Sequence, residues 1–83
     1  MNFITDGNRI YLNDEAEKMI AEVTFPETAP GVYTIDHTFV DDSLRGQGVA
    51  GKLVQAAVDE IKQRGGSVQA TCSYAVGWLE KHG

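Results

Sequence analysis

Along the first forty positions apolar and polar residues alternate in short runs, and after them the apolar spacing lengthens to three and four. "NFIT" reads as a short apolar strand, and the "DGN" that follows is a hairpin turn in which Gly7 supplies a positive φ at little cost. "RIYLND" alternates with Ile10 and Leu12 on one face, and Lys18 to Phe25 alternates again, grouping Met19, Ala21, Val23 and Phe25. Between these runs "DEAEK" reads as a polar turn or one helical turn. "PETAPG" then breaks the chain through Pro26, Pro30 and Gly31. "VYTIDHTFV" is the longest alternating run. It predicts a single central strand with Tyr33, Ile35, His37 and Phe39 on one side and Val32, Thr34, Asp36, Thr38 and Val40 on the other.

The period changes after the polar link "DDS". Ala50, Leu53, Val54, Ala57, Val58 and Ile61 fall at helical spacing, with Lys52, Gln55, Asp59 and Lys62 on the remaining positions. Gly65 and Gly66 end that helix. "SVQATC" predicts a short strand with Val68, Ala70 and Cys72 facing one way, and Tyr74 to His82 a last helix with Ser73 as its N-cap. A strand–helix–strand unit makes its two strands parallel, whereas the hairpins before it are antiparallel. The expected class is therefore α+β, a mixed and mostly antiparallel twisted sheet carrying a strand–loop–helix–strand unit.

The 83 residues suit one small domain, 1–83, near the lower limit for a self-sufficient core. No apolar run approaches the roughly 18 residues that a membrane helix needs, and "MNFITDGNRI" carries no secretory pattern. A cytoplasmic protein without membrane contacts is the expectation. One cysteine, Cys72, excludes an internal disulfide framework and a multi-cysteine metal site, and no metal is expected. With a net charge of −5 and no basic stripe, nucleic acid is not an expected partner. An acidic surface suits a cationic substrate such as an amine. Composition leaves the oligomeric state open between a monomer and a small homo-oligomer.

The chemistry concentrates in "LRGQGVAGKL", residues 44 to 53, which fits three phosphate-binding patterns at once or nearly so. Gly46, Gly48 and Gly51 spell the dinucleotide fingerprint G-x-G-x-x-G. That fingerprint should follow its strand directly and be answered by an acidic residue about 20 positions on. Here five residues intervene after Val40, and the positions near Thr71 are neutral. Gly46, Gly51 and Lys52 spell a P-loop, but Leu53 stands where a Mg²⁺-binding hydroxyl belongs and it lies on the helix's apolar stripe. Arg45, Gly48 and Ala50 spell R-x-x-G-x-A, a pyrophosphate loop that needs a strand, a short loop and a long helix whose first amides are free. All three are expected here. The plainer alternative is a glycine-rich turn that merely starts a helix.

"FVDDSLRGQGVAGKLV", framed by a strand before it and a helix and strand after it, resembles the GNAT superfamily of acetyl-CoA-dependent N-acetyltransferases. The combination of "HTFV", "RGQGVAGKLV" and "CSY" resembles more narrowly a very small GNAT-like family, over roughly the last half of the chain. The resemblance implies acetyl-CoA, or coenzyme A, as the bound cofactor. The backbone of Arg45, Gly46, Gln47, Gly48, Val49, Ala50 and Gly51 would hold its pyrophosphate, and the main chain of Phe39 and Val40 would hold the pantetheine arm. Arg45 or Lys52 would meet a phosphate or remain solvated. The strand ending at Cys72 would splay from the central strand to open a slot for the thioester.

Many larger relatives place a Tyr in the last helix, in a pattern like A-x-x-L-Y-E-K-x-G. The matching stretch "AVGWLEKHG" has Trp78 and Leu79 there, and no final hairpin follows, so both the usual general acid and much of the acceptor pocket depart from the pattern. Cys72, at a strand end before a helix, is the natural substitute as nucleophile or acid/base; its other reading is a small buried hydrophobe. His37 reads as a structural histidine or a general base, and Tyr74 as a proton donor near the sulfur or a residue capping the core edge. The resulting expectation is an acetyl-CoA-dependent N-acetyltransferase acting on an unidentified amine, with Cys72, Tyr74 and His37 as catalytic candidates. The alternative is a module that binds CoA or acetyl-CoA with little or no transfer.

Overall fold

The computed structural model describes residues 2–82. Its first strands are β1 (Ile4–Asp6), β2 (Arg9–Asn13) and β3 (Met19–Thr24). β1 and β2 close through a two-residue hairpin in which Asp6 faces Arg9 and Gly7 has φ 59°. This is the turn that "DGN" predicts. β2 and β3 are antiparallel and bury Ile10, Leu12, Ala21 and Val23 on one face, but Met19, expected on that face, lies beyond a register shift at Leu12/Asn13 and is exposed. Inside "PETAPG" there is one more strand than the breakers suggest, β4 (Glu27–Ala29).

"VYTIDHTFV" does not form one strand. It divides at Asp36 into β5 (Val32–Ile35) and β6 (His37–Val40), which belong to different sheets of order β1-β2-β3-β6 and β4-β5-β7. Thr24 causes the division. Its carbonyl accepts the Asp36 amide at 3.2 Å, its hydroxyl donates to Asp36 Oδ1 at 2.5 Å, and it is also the register partner of His37. Two residues thus oppose one, the geometry of a β-bulge, which bends the strand and resets its alternation. Ile35 is buried whereas His37 and Phe39 are exposed, so the expected single face of Tyr33, Ile35, His37 and Phe39 does not exist. β6 is accordingly an edge strand of its sheet rather than a central one.

A 3₁₀ turn at Asp42–Leu44 leads to α1 (Val49–Gln63), followed by β7 (Ser67–Ala70) and α2 (Ser73–His82). β5 and β7 are parallel, as the connecting helix requires. α1 buries Val49, Leu53, Val54, Ala57, Val58 and Ile61 against β2 and β3 and leaves Lys52, Gln55, Asp59 and Lys62 in solvent. The expected stripe is present, shifted at its start from Ala50 to Val49. Phe25, Ile35 and Ala75 complete the core. At the far end, Gly65 has φ 76°, and a side chain at Gly66 would stand 2.7 Å from the Tyr33 ring. These glycines let the chain leave the helix and return directly into β7.

Candidate functional site

The glycine loop is built from a cap upward. Asp41 Oδ2 accepts from the Ser43 amide at 3.0 Å and the Ser43 hydroxyl at 2.7 Å, which fixes the 3₁₀ turn. Those two hydrogen bonds, the hydroxyl first, hold the Asp41 carboxyl below its ordinary range. Gly46 and Gly48 then take φ 79° and 69°, and the first bond of α1 runs from the Lys52 amide to the Gly48 carbonyl at 3.2 Å. Among the described residues, no backbone or side-chain acceptor takes the amides of Gly46, Gly48, Val49, Ala50 or Gly51. Five donors therefore gather where the helix dipole is positive.

A cavity of about 300 Å³ opens there, lined by Val40, Arg45, Gly46, Gly48, Val49 and Ala50 together with Asp42 and Leu44. Six of the residues expected at the cofactor thus share one concavity. Gln47 is exposed in the loop, and Gly51 and Lys52 face a second groove that adjoins the first at Gly48. Arg45 pairs with Asp42 at 3.1 Å, both more than 80% exposed, so the pair is solvated and leaves the guanidinium available. Among the described residues no carboxylate pairs with Lys52.

β6 and β7 part beside this loop. The Ile35 carbonyl accepts from both the Thr71 and the Cys72 amides, at 3.0 and 3.2 Å, which ends the parallel pairing. β6 pairs only with β3. Because the Asp41 amide donates to the Ile20 carbonyl, period-two alternation turns the peptide groups of His37 and Phe39 toward β3. Those of Thr38 and Val40 lie on the edge that has no strand partner among the described residues.

Cys72 stands at the mouth of this gap. The Val76 amide donates to the Cys72 carbonyl at 2.9 Å, so Cys72, not the expected Ser73, is the N-cap of α2. Serine caps better by propensity, but the two hydrogen bonds to the Ile35 carbonyl fix the chain one residue earlier. Sγ lies 3.6 Å from Thr38 Oγ1. Burial pushes the half-buried thiol up, yet donors outweigh it: the Ala75 amide, the Thr38 side chain, the Tyr74 amide and the Thr38 amide together leave it below its ordinary range.

The other two catalytic candidates lie elsewhere. His37 and Phe39 alternate to the face of β6 opposite Thr38 and are exposed beside Glu22, which is the partner of Phe39. Tyr74 is 45% exposed, and its hydroxyl reaches over the first turn of α1, 3.3 Å from where a Gly51 side chain would begin. The structure brings Tyr74 to the glycine loop rather than to the sulfur, and brings His37 to neither. Thr38 is the partner that sequence reading missed; only the bulge at Asp36 aligns it with Cys72. Among the described residues no cluster of three or more metal-ligating side chains occurs, and no helix is long and apolar enough to cross a membrane.

Solved structures share this fold. The solution structure of a GCN5-like candidate N-acetyltransferase from Staphylococcus aureus superposes with TM-score 0.79 at 34% identity, covering 98% of this chain and 79% of that one. The ribosomal-protein-S18-alanine N-acetyltransferase of Escherichia coli shares the fold with TM-score 0.72 at 19% identity, over 95% of this chain and 54% of that one. So does the GNAT-family protein YhbS of Escherichia coli, solved in complex with CoA, with TM-score 0.62 at 24% identity over 69% of this chain and 34% of that one. No curated protein matches the sequence. A family model for the GCN5-related N-acetyl-transferases matches residues 9–83, and the chain belongs to that family.

Proposed function

We propose that the protein is an acetyl-CoA-dependent N-acetyltransferase in which Cys72 carries the acetyl group between donor and amine. The residues fit the donor. Five unclaimed amides at the start of α1 match a pyrophosphate, Arg45 and Lys52 supply cations beside it, and the glycines keep side chains out of its approach. The unpaired edge of β6 offers the Thr38 carbonyl and the peptide group of Val40 to a pantetheine arm, whereas the peptide group of Phe39 is engaged by β3. The CoA complex of YhbS, a protein of the same fold, supports this ligand.

Bound acetyl-CoA supplies an acetyl group activated as a thioester. Cys72, as the thiolate, attacks the carbonyl carbon, a bond forms to Sγ, and CoA departs as its thiolate. An amine in its neutral form then attacks acetyl-Cys72. The new C–N bond forms, the bond to Sγ breaks, Cys72 returns as the thiolate, and the amine proton passes to solvent. Donors from Ala75, Tyr74 and Thr38 stabilise the thiolate both as attacking and as leaving group. Tyr74 acts in this scheme at the loop, over Gly51. His37, on the open face of the sheet, is a proton acceptor only for an amine that approaches from that face.

The position of Cys72 carries this reading: it caps α2 at the mouth of the gap between β6 and β7, with Sγ 3.6 Å from Thr38 Oγ1 and the thiol held below its ordinary range. Two-substrate kinetics test it: parallel double-reciprocal lines and a loss of about a hundredfold or more in turnover for Cys72→Ala are expected. Full turnover in the alanine variant removes Cys72 from the mechanism. A second reading, a module that binds CoA without transfer, draws on the exposure of His37 and Phe39 on the open face of β6. CoA binding with no turnover across an amine panel, and no acetyl-Cys72, favours it.

A further inference from the structure

Charge is spread along the chain except in one stretch. Lys, Arg, Asp and Glu make up 23% of the residues, yet none falls between Gly65 and Leu79. That stretch holds β7 and most of α2, and Val76 within it is an exposed large apolar side chain. Loss of charge is the compositional mark of the centre of a protein–protein contact.

β7 is also an open edge, pairing only with β5 among the described residues. The Ser67 and Thr71 amides donate to the Gly31 and Ile35 carbonyls. Alternation therefore turns the peptide groups of Ser67 and Gln69 toward β5 and those of Val68 and Ala70 outward. No group among the described residues meets these outward donors and acceptors. Native sheets guard such edges with charge or proline. β1 ends in Asp6, β4 lies between Pro26 and Pro30, and β6 lies between Asp36 and Asp41. β7 has no such guard.

We infer that β7 is the interface of a homodimer, in which a second copy adds its own β7 antiparallel to the first. The pattern of the edge selects this occupant. Val68 and Ala70 stand symmetrically about Gln69, so a two-fold axis at Gln69, perpendicular to the sheet, sets Val68 opposite Ala70 of the second copy. Each of the two resulting pairs exchanges both its hydrogen bonds, which uses every outward N–H and C=O. Both copies present the same patch, so the contact closes at two. No like charges meet along the shared strands, although each chain carries −5. Val68 and Leu79, both half-buried, line a groove beside this edge and gain cover from the second copy. A chain near the lower size limit for a self-sufficient core gains most from such burial. The gap between β6 and β7 lies on the other edge of β7, so the proposed reaction needs no part of this contact.

Sedimentation of the full chain from micromolar to millimolar concentration is expected to show conversion to a species of twice the mass. Added salt should strengthen it by screening the repulsion between acidic copies, and association that salt weakens would contradict it. Gln69 is exposed, so Gln69→Lys leaves the fold intact while setting two ammonium groups face to face. It should weaken association by about tenfold or more. In a Cys72→Ser background, Gln69→Cys reads the register. Facing residues of a non-hydrogen-bonded pair lie about 4.5 Å apart at Cα, within disulfide reach, so oxidation should link the two copies. Ser67→Cys, with its two positions roughly 14 Å apart, should not link them. A chain that stays monomeric at every concentration overturns the inference, as does linking through Ser67→Cys as fast as through Gln69→Cys.

Discussion

The two ends of α1 are built by opposite means. At its C-terminal end the carbonyls of Glu60, Ile61 and Lys62 accept from the Arg64, Gly65 and Gly66 amides, and the Arg64 side chain is fully engaged. Arg64 Nε meets Glu60 at 2.8 Å, and its other nitrogens reach Asn8 Oδ1 and the Gly7 carbonyl, each at 2.6 Å. The guanidinium also lies over the rings of Phe25 and Tyr33 at 5.4 and 5.5 Å. One side chain thus ties the first hairpin, the core edge and the helix terminus together. At the N-terminal end five amides go unclaimed, two glycines hold left-handed conformations, and the nearest cations project into solvent. The contrast teaches where the chain spends its bonding capacity. The closed end stabilises the fold, and the open end leaves donors that fit the ligand proposed for it.

Breaking the closed end has the larger effect on stability. Arg64→Ala is expected to lower unfolding free energy by about 2 kcal/mol, read by chemical denaturation. Most of that loss comes from the contacts to Gly7, Asn8 and the two rings rather than from the partly exposed Glu60 pair, which contributes little. CoA affinity at the far end should be unchanged. A parallel loss of CoA binding would mean that the two ends are coupled and the comparison is wrong.

At the open end the signs reverse. Gly51→Ala replaces a helical glycine, so up to about 1 kcal/mol of added stability is expected, while the new Cβ crowds Tyr74 Oη at 3.3 Å. Tyr74 is exposed and can swing aside, so the fold tolerates the change. CoA binding by calorimetry should nevertheless weaken, by about tenfold. A variant that is more stable and binds CoA as well as before would show that Gly51 is not kept for the ligand.

Much of this architecture is legible in the sequence because it rests on local chemistry. The Asp6–Arg9 hairpin follows from Gly7, α1 from its apolar spacing, and the parallel β5–β7 pair from the helix between them. The break at Asp36 is not legible, because it depends on Thr24, twelve residues away, whose carbonyl and hydroxyl both engage Asp36. That one contact resets the alternation of "HTFV". It moves His37 and Phe39 to the open face and turns Thr38 toward Cys72, so two site assignments depended on a tertiary hydrogen bond. Cys72 as a cap is hidden for a similar reason, since the Ile35 carbonyl that fixes it lies on another strand.

The smallest effect concerns Thr38. Cys72 titrates in the folded protein below its ordinary value of 9.0, through donors that overcome its burial. A lowered folded value means that the thiolate's contribution to stability is fully present above the unfolded value and fades as pH falls through the folded one. Alkylation of Cys72 by iodoacetamide should therefore rise with pH to a midpoint below 9.0, and Thr38→Val should move that midpoint upward. An unmoved midpoint would leave the backbone amides of Ala75, Tyr74 and Thr38 as the source of the shift.

The role of Cys72 is tested most directly by intact-mass spectrometry of the protein mixed with acetyl-CoA in the absence of an amine and quenched in acid. Transfer through Cys72 predicts one added acetyl group, mapped to the peptide containing Cys72, absent in Cys72→Ala and discharged when a reactive amine is supplied. An unmodified Cys72 in a protein that still acetylates amines would contradict it.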